Sequence, residues 1–227
     1  MKLLSFECSA KAASCCISED GNILGSVFSN VPLTHSQTLV PMMENLLAAT
    51  LIKLDDIDCF AIAAGPGSFT GVRIGISAVK GLSIAKRKPC IPVSTLEAMA
   101  YMHQDKNAVI CPVMDARCSQ VYNALFKCKN GKITRLCEDR ALLASELLEE
   151  LKNISDTVIV TGDGTNLFMG LCPPANVISA PAHLKTQSAV GVALAAKTEN
   201  AIDGAALMPF YLRLPQAERE LKARNNK

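Results

Sequence analysis

Residues 58–87, DCFAIAAGPGSFTGVRIGISAVKGLSIAKR, constrain the fold more than any other stretch. The apolar run Cys59 to Ala64 reads as a buried strand, and Gly65-Pro66-Gly67 turns the chain sharply after it. Glycine there accepts positive φ and lets another group approach the backbone. Ser68 or Thr70 can cap the following helix, along which Val72, Ile76 and Val79 space as one buried stripe. Ile74, Ala78, Leu82 and Ala85 cover much of the opposite side, so this helix must be packed from more than one direction.

A glycine turn between strand and helix presents free N–H groups to an anion. The familiar nucleotide fingerprints are nevertheless missing. No Gly-Lys-Ser/Thr ends the turn, and no acidic residue follows the next strand, Ile91–Thr95, before Glu97. Arg73 stands out, because a cation in the first turn opposes the helix dipole. It faces a carboxylate, an anion, a partner chain or solvent.

The chain of 227 residues, 49% hydrophobic and 19% charged, fits a compact globule with an ample core. A net charge of +2 is too mild for autonomous nucleic-acid binding. Ten cysteines contain no C-x-x-C, and the neighbours Cys15 and Cys16 would point to opposite sides of a strand. Unpaired thiols in apolar runs imply a reducing cytoplasm. No stretch reads as a signal peptide or a membrane span. His35, His103 and His183 lack ligand spacing and read as surface or satisfied polar histidines, so no metal is expected.

In order, Leu3–Phe6 is a first strand ending at Glu7-Cys8-Ser9, residues 12–17 a second, and Glu19 to Asn22 a hairpin turn into a third near Ile23–Phe28. A helix over Ser36 to Thr50 carries Leu39, Met42, Met43, Leu46 and Leu47 as a broad stripe, with Pro41 tolerable near its start. A strand at 89–93 and a helix from Ser94 to about His103 follow. Val109–Met114 then ends at Asp115-Ala116-Arg117, Gln120–Lys127 is the next strand, and Lys129-Asn130-Gly131 the turn after it. Acid-tipped strand, strand, glycine turn, strand thus occurs twice, roughly a hundred residues apart. Further on come a helix at about Ser145–Lys152 with Ser145 as candidate cap, a strand at Val158–Thr161, the turn Gly162-Asp163-Gly164, a short strand at Val177–Ile178, and a small-residue helix near Ser188–Lys197.

GPGSFTGVRIGISAVKGLSIAKRKPCIPVSTLEAMA, with Asp115-Ala116-Arg117 and MPFYLR near the C-terminus, resembles the TsaB family over most of the chain. That resemblance implies a duplicated actin-like ATPase (ribonuclease H-like) α/β fold. Each of two lobes would carry a mixed five-stranded sheet flanked by helices, with a cleft between. The expected division is 1–104 for an N-terminal lobe with partner-binding helices, 105–212 for a C-terminal lobe, and 213–227 for a charged tail. In such a fold Glu7, Ser9, Gly65, Gly67, Ser68, Asp115, Gly162 and Gly164 are candidate nucleotide-binding residues. The family's first strand usually ends in Asp-Thr-Ser, where this chain has Glu7-Cys8-Ser9.

The related catalyst TsaD carries a His-x-x-x-His metal motif where this chain matches Thr95 and Met99, around Glu97. The resemblance therefore implies a non-catalytic partner of TsaD in forming threonylcarbamoyladenosine beside the anticodon of tRNAs reading codons that begin with A. TsaE would join the complex, tRNA would be its substrate, and a homodimer would form when TsaD is absent. No intrinsic cofactor is implied, although a nucleotide could sit at the interface with TsaD. The helices at 36–50 and 70–86 are the expected partner face, through Leu39, Met42, Met43, Leu46, Leu47, Arg73, Ile76, Val79 and Lys80, with Met43 expected at an exposed position. The alternative is an autonomous actin-like nucleotide-binding ATPase or kinase using Glu7, Asp115 and the glycine turns. A peptidase lacks support, since there is no His-Glu-x-x-His and no nucleophile–base pair in the sequence.

Overall fold

The computed structural model describes residues 1–213. The charged tail assigned to 213–227 therefore lies, beyond Arg213, outside the described residues.

The first lobe is built from β1 (Lys2–Glu7), β2 (Ala13–Glu19), β3 (Asn22–Ser29), α1 (His35–Thr50), β4 (Cys59–Gly65), α2 (Phe69–Lys86), β5 (Cys90–Ser94) and α3 (Thr95–Tyr101). Its sheet runs β3-β2-β1-β4-β5, with an antiparallel meander at one edge and parallel pairs β1–β4 and β4–β5. Asp20 and Gly21 form the β2–β3 turn with positive φ, and Ser68 caps α2 by accepting from the Gly71 N–H at 3.3 Å.

The second lobe repeats the order: β6 (Ala108–Arg117), β7 (Gln120–Asn123), β8 (Phe126–Lys129), β9 (Lys132–Arg135), β10 (Arg140–Leu143), α4 (Ala144–Leu151), β11 (Val158–Thr161), α5 (Thr165–Met169), β12 (Val177–Ser179) and α6 (Ala189–Ala195). The expected five-stranded sheet is present with two of its strands broken, which gives seven strand segments. β7 and β8 pair with β6 in one continuous register, Val113 opposite Asn123 and Ala108 opposite Cys128. The break falls opposite Pro112, which has no N–H to give the ladder. Asn123 fills the gap, its side-chain amide donating to the carbonyls of Pro112 at 2.9 Å and Ala124 at 3.1 Å. β9 and β10 are separated by a bulge at 136–139 that shifts the register by two residues. Ser145 lies inside α4 and does not cap it; the Leu143 N–H instead donates to Glu146 Oε2 at 2.9 Å.

This is the duplicated actin-like arrangement, and the duplication includes the last helix of each lobe. α1 and α2 cover one face of the first sheet through Leu39, Met42, Met43, Leu46, Val72, Ile76 and Val79. The other face is covered by α6, whose Val192 and Ala195 pack on Leu3, Ala61, Ile91 and Val93. α3 in turn lays Leu96, Met99 and Ala100 on Ile110, Met114 and Phe126 of the second sheet. The two helices also pack on each other, and the α6 N-terminus donates from Ala189 to Ser14 Oγ at 2.8 Å. A boundary at 104/105 therefore cuts across the packing, because residues 189–212 return to the first lobe.

The α1 stripe is spent on this core. Met43 is 6% exposed and Met42 7%, so the expectation of an exposed methionine is overturned. We predict that Met43→Glu fails to fold, and that Met43→Ala lowers unfolding stability by about 2–5 kcal/mol in urea titration. A Met43→Ala loss under about 0.5 kcal/mol would mean the site is not close-packed.

Candidate functional site

The tips of β1, β4 and β6 and the turn after β11 converge where the lobes face each other. They enclose a cleft of about 500 Å³ lined by Ser9, Lys11, Gly67, Ser68, Asp115 and Arg117. Asp115 Oδ1 accepts from the Arg117 N–H at 2.7 Å, and the Arg117 guanidinium lies 3.3 Å from Oδ2. Arg117, Cys118 and Ser119 all have positive φ, an unusual run of non-glycine residues that makes the hairpin tip tight.

Beneath the cleft lies a buried polar floor. Glu7 is fully buried; its Oε1 accepts from the Ser9 N–H at 2.6 Å and its Oε2 has no partner. Burial pushes its carboxyl up to about 7; the hydrogen bond from the Ser9 N–H opposes the shift and the charge of Asp163 adds to it. Asp163 is also raised by burial, while Gln187 Nε2 donates to its Oδ1 at 2.9 Å. Ser9 Oγ, Thr165 Oγ1 and Gln187 Oε1 are buried without partners.

The glycine turns are closed by the chain itself. The Ser68 N–H, a candidate phosphate donor, already donates to the Ser9 carbonyl at 2.6 Å. Gly65 has φ +122°, and a Cβ there would overlap the Phe210 carbonyl, so only glycine fits. Gly162 and Gly164 pack against the backbone of β6, the Gly164 N–H donating to Val113 O at 3.0 Å. Of the eight candidate nucleotide residues, Ser9, Gly67, Ser68 and Asp115 line the cleft. Glu7 lies below it, while Gly65, Gly162 and Gly164 are occupied by packing.

A family model described as TsaD, tRNA N6-adenosine threonylcarbamoyltransferase, matches residues 26–219, which places the chain among TsaD-like domains. The chain is 34% identical over 167 residues to the tRNA threonylcarbamoyladenosine biosynthesis protein TsaB of Escherichia coli (strain K12), 72% of each chain being covered. The chain belongs to the TsaB family. It is also 28% identical over 223 residues to the protein of the same name from Bacillus subtilis (strain 168), covering 96% of each. In three dimensions it is similar to YeaZ from Pseudomonas aeruginosa, with TM-score 0.77 and 26% identity over 93% of this chain and 99% of that one.

Within this TsaB-family chain, Thr95 and Met99 are both buried on α3, Met99 against the second sheet. Among the described residues no group of three or more His, Cys, Asp or Glu side chains is placed to hold a metal ion. Nor is any helix among them long and apolar enough to cross a membrane. All ten cysteines are free thiols. His103 departs from expectation, being fully buried with neither ring nitrogen partnered. Burial holds its pKa below the usual value.

The expected partner residues are mostly internal. Leu39, Met42, Met43, Leu46, Ile76 and Val79 are core, and Leu47 is half-buried against it. Lys80 donates to the Ala205 carbonyl at 2.8 Å. Arg73 is exposed, and among the described residues no carboxylate meets it; its Nε donates to Tyr211 Oη at 2.7 Å and its guanidinium lies 4.0 Å over the Phe69 ring. Sequence reasoning missed this contact, and the aromatic pair in MPFYLR was its only trace. It also missed a network beside a second cavity, lined by Ser94, Arg135 and Asp139. There Arg135 bridges Glu97 at 3.1 Å and Asp139 at 2.5 Å, Ser94 donates to Asp139, and Lys197 lies 3.2 Å from Glu97.

Glu7 gives a signed pH dependence. Its folded pKa of about 7 lies above the ordinary 4.5, so the native state keeps a proton the unfolded chain has released. Stability contributed by the protonated form is therefore lost as pH rises through that window, by about 3 kcal/mol in order of magnitude. Glu7→Gln should flatten this part of a plot of urea midpoint against pH and exceed the wild type in stability at about pH 8. Asp163 should leave a weaker slope of the same sign. Parallel curves for the two proteins would exclude Glu7 as the titrating group.

Proposed function

We propose that this chain is the non-catalytic partner of a TsaD-type transferase in forming threonylcarbamoyladenosine on the adenosine adjacent to the anticodon of tRNAs reading codons that begin with A. The observation that carries the reading is the burial of Thr95 and Met99. At the positions where the related catalyst has metal-binding histidines, this chain has a hydroxyl and a thioether packed into its own core. Neither can supply an imidazole ligand. The closed glycine turns also argue against an autonomous ATPase or kinase. On this reading the chain has no intrinsic cofactor or transition metal, works in the cytoplasm, and supports a complex that includes TsaE and takes tRNA as substrate. A nucleotide, if required, sits between this chain and TsaD. A homodimer replaces the heterodimer when TsaD is absent.

The partner face is the outward side of α1 and α2, which pack on each other. Val40 is 45% exposed and Ile84 55%. On α2, Ser77, Gly81 and Ala85 are small and exposed. Small residues permit close helix–helix approach, and pairing like helices of related chains is geometrically natural. Gly81 supports this, since a Cβ there would meet nothing within 4 Å in the chain's own fold.

Reconstitution tests the function: the organism's TsaD-type protein with tRNA should modify it far faster when this chain is added. Unchanged modification without the chain would defeat the proposal. The face has its own test. Gly81→Leu should raise unfolding stability by about 0.5–1 kcal/mol through helix propensity, yet weaken co-purification with the TsaD-type protein by roughly tenfold or more. A stabilised variant with unchanged affinity would place the partner elsewhere.

A further inference from the structure

Arg73, Ser77, Lys80 and Ile84 of α2 and its C-cap Arg87 are spaced alternately four and three residues apart, so they follow one side of the helix. The cations recur at every seventh residue, about 10.5 Å apart along the axis. Four of these residues are exposed and Lys80 is half-buried. The fold leaves this ridge of charge unanswered. Arg73 is bound to the Tyr211 hydroxyl and the Phe69 ring, and Lys80 donates to the Ala205 carbonyl. Among the described residues no carboxylate pairs with Arg73, Lys80 or Arg87, whereas Lys86 beside them is paired with Asp55 at 2.6 Å. α2 contains no Asp or Glu, and α1 contains one carboxylate, the exposed Glu44. The helix dipole accounts for Arg87 at the C-terminus, but it opposes Arg73 in the first turn.

Apolar surface lies along the same ridge. Ile84 is 55% exposed, and Met208, in the stretch that follows α2 from Gly204 beside Ser83 to Tyr211 on Phe69, is 67% exposed. A nucleic-acid backbone would meet the cations but gain nothing from Ile84 and Met208. A helical protein surface that sets carboxylates among small and apolar side chains answers both. The pattern also bears on a second copy of this chain. A two-fold contact is self-complementary, and antiparallel packing of α2 on its copy about Lys80 would set Arg73 opposite Arg87 and Lys80 opposite itself. With no carboxylate on α2 and only Glu44 on α1, such a contact opposes like charges.

We propose that Arg73, Lys80 and Arg87 form a cationic ridge that sets partner choice on this face, pairing with carboxylates about 10 Å apart along a helix of the TsaD-type protein and repelling a second copy of this chain. The inference rests on the partner reading above and goes beyond it by naming the chemistry of the surface that docks. On this view the homodimer forms against charge repulsion and the heterodimer with charge attraction. Salt therefore acts on the two associations with opposite sign, and the TsaD-type protein displaces the second copy.

The test measures both associations with the full chain at about 50 and about 500 mM NaCl, the homodimer by sedimentation equilibrium and the heterodimer by calorimetry with the organism's TsaD-type protein. Raising the salt should weaken the heterodimer by roughly tenfold and tighten the homodimer by roughly threefold or more. Arg73→Gln combined with Arg87→Asn should reproduce both changes at low salt, asparagine suiting the left-handed C-cap at φ 52°. Arg73→Lys combined with Arg87→Lys keeps the charge and should behave as the wild type. Salt effects of one sign on both associations would overturn the ridge as a selector. A neutral variant that binds the TsaD-type protein with wild-type affinity would overturn the pairing, and one no more dimeric than the wild type would overturn the repulsion. A lysine variant as impaired as the neutral one would show that the guanidinium contacts act, not the charge. Absence of any binding to the TsaD-type protein would defeat the partner reading and the pairing with it, while the homodimer measurements still decide the repulsion. Capture of tRNA by this chain alone, lost in the neutral variant, would assign the ridge to nucleic acid instead.

Discussion

The reciprocal packing of α3 and α6 is the constraint on which the rest of the molecule depends. Each helix leaves one lobe in sequence and covers the sheet of the other, and the two lie against one another at the centre. Each lobe by itself would leave one sheet face bare, a patch that monomers rarely tolerate. Neither sheet is therefore complete without the other half of the chain. This exchange fixes the distance between the strand tips and so creates the cleft.

Fixing the lobes brings acidic strand tips together in a dry place. Glu7 from the first lobe and Asp163 from the second share a floor with hydroxyl and amide groups that lack partners. A carboxylate so buried is destabilised unless it is neutralised, and here the neutralising species is a proton rather than a cationic side chain. Such a floor ties the folded state to proton uptake. In the ion-pair network around Arg135 the neutralising groups are side chains, and half-buried opposite charges join α3 to the second sheet.

Two surfaces compete as the place where this chain meets its surroundings, and their physics differs. The outer side of α1 and α2 is small-residue and largely preformed, suited to another helical surface. The cleft is deep, but its glycine turn is filled by the chain's own C-terminal segment. Arg73 belongs to both: it sits on α2 and holds Tyr211. A cation near a helix N-terminus is unfavourable against the dipole, and the aromatic stack offsets that penalty.

The sequence alone determined the local grammar of this protein. The apolar run before Gly65, the cap at Ser68, the turns at Asp20-Gly21 and Asn130-Gly131 and the repeat of acid-tipped strands all follow from short-range rules, and the structure has them. The family resemblance reached further because it compared the whole chain at once. Tertiary structure alone decided which apolar stripes were free. Met43 and Ile76 have the same periodicity whether they face a sheet or a partner, and only the packed sheet shows that they are core. It also decided the lobe boundary, since nothing in the composition of 189–195 says which sheet it covers. The split opposite Pro112, the Gly65–Phe210 contact and the Arg73–Tyr211 bond join residues far apart in the chain or depend on strand register. Periodicity carries no information about such pairs, because what selects them is the free energy of closing the whole fold.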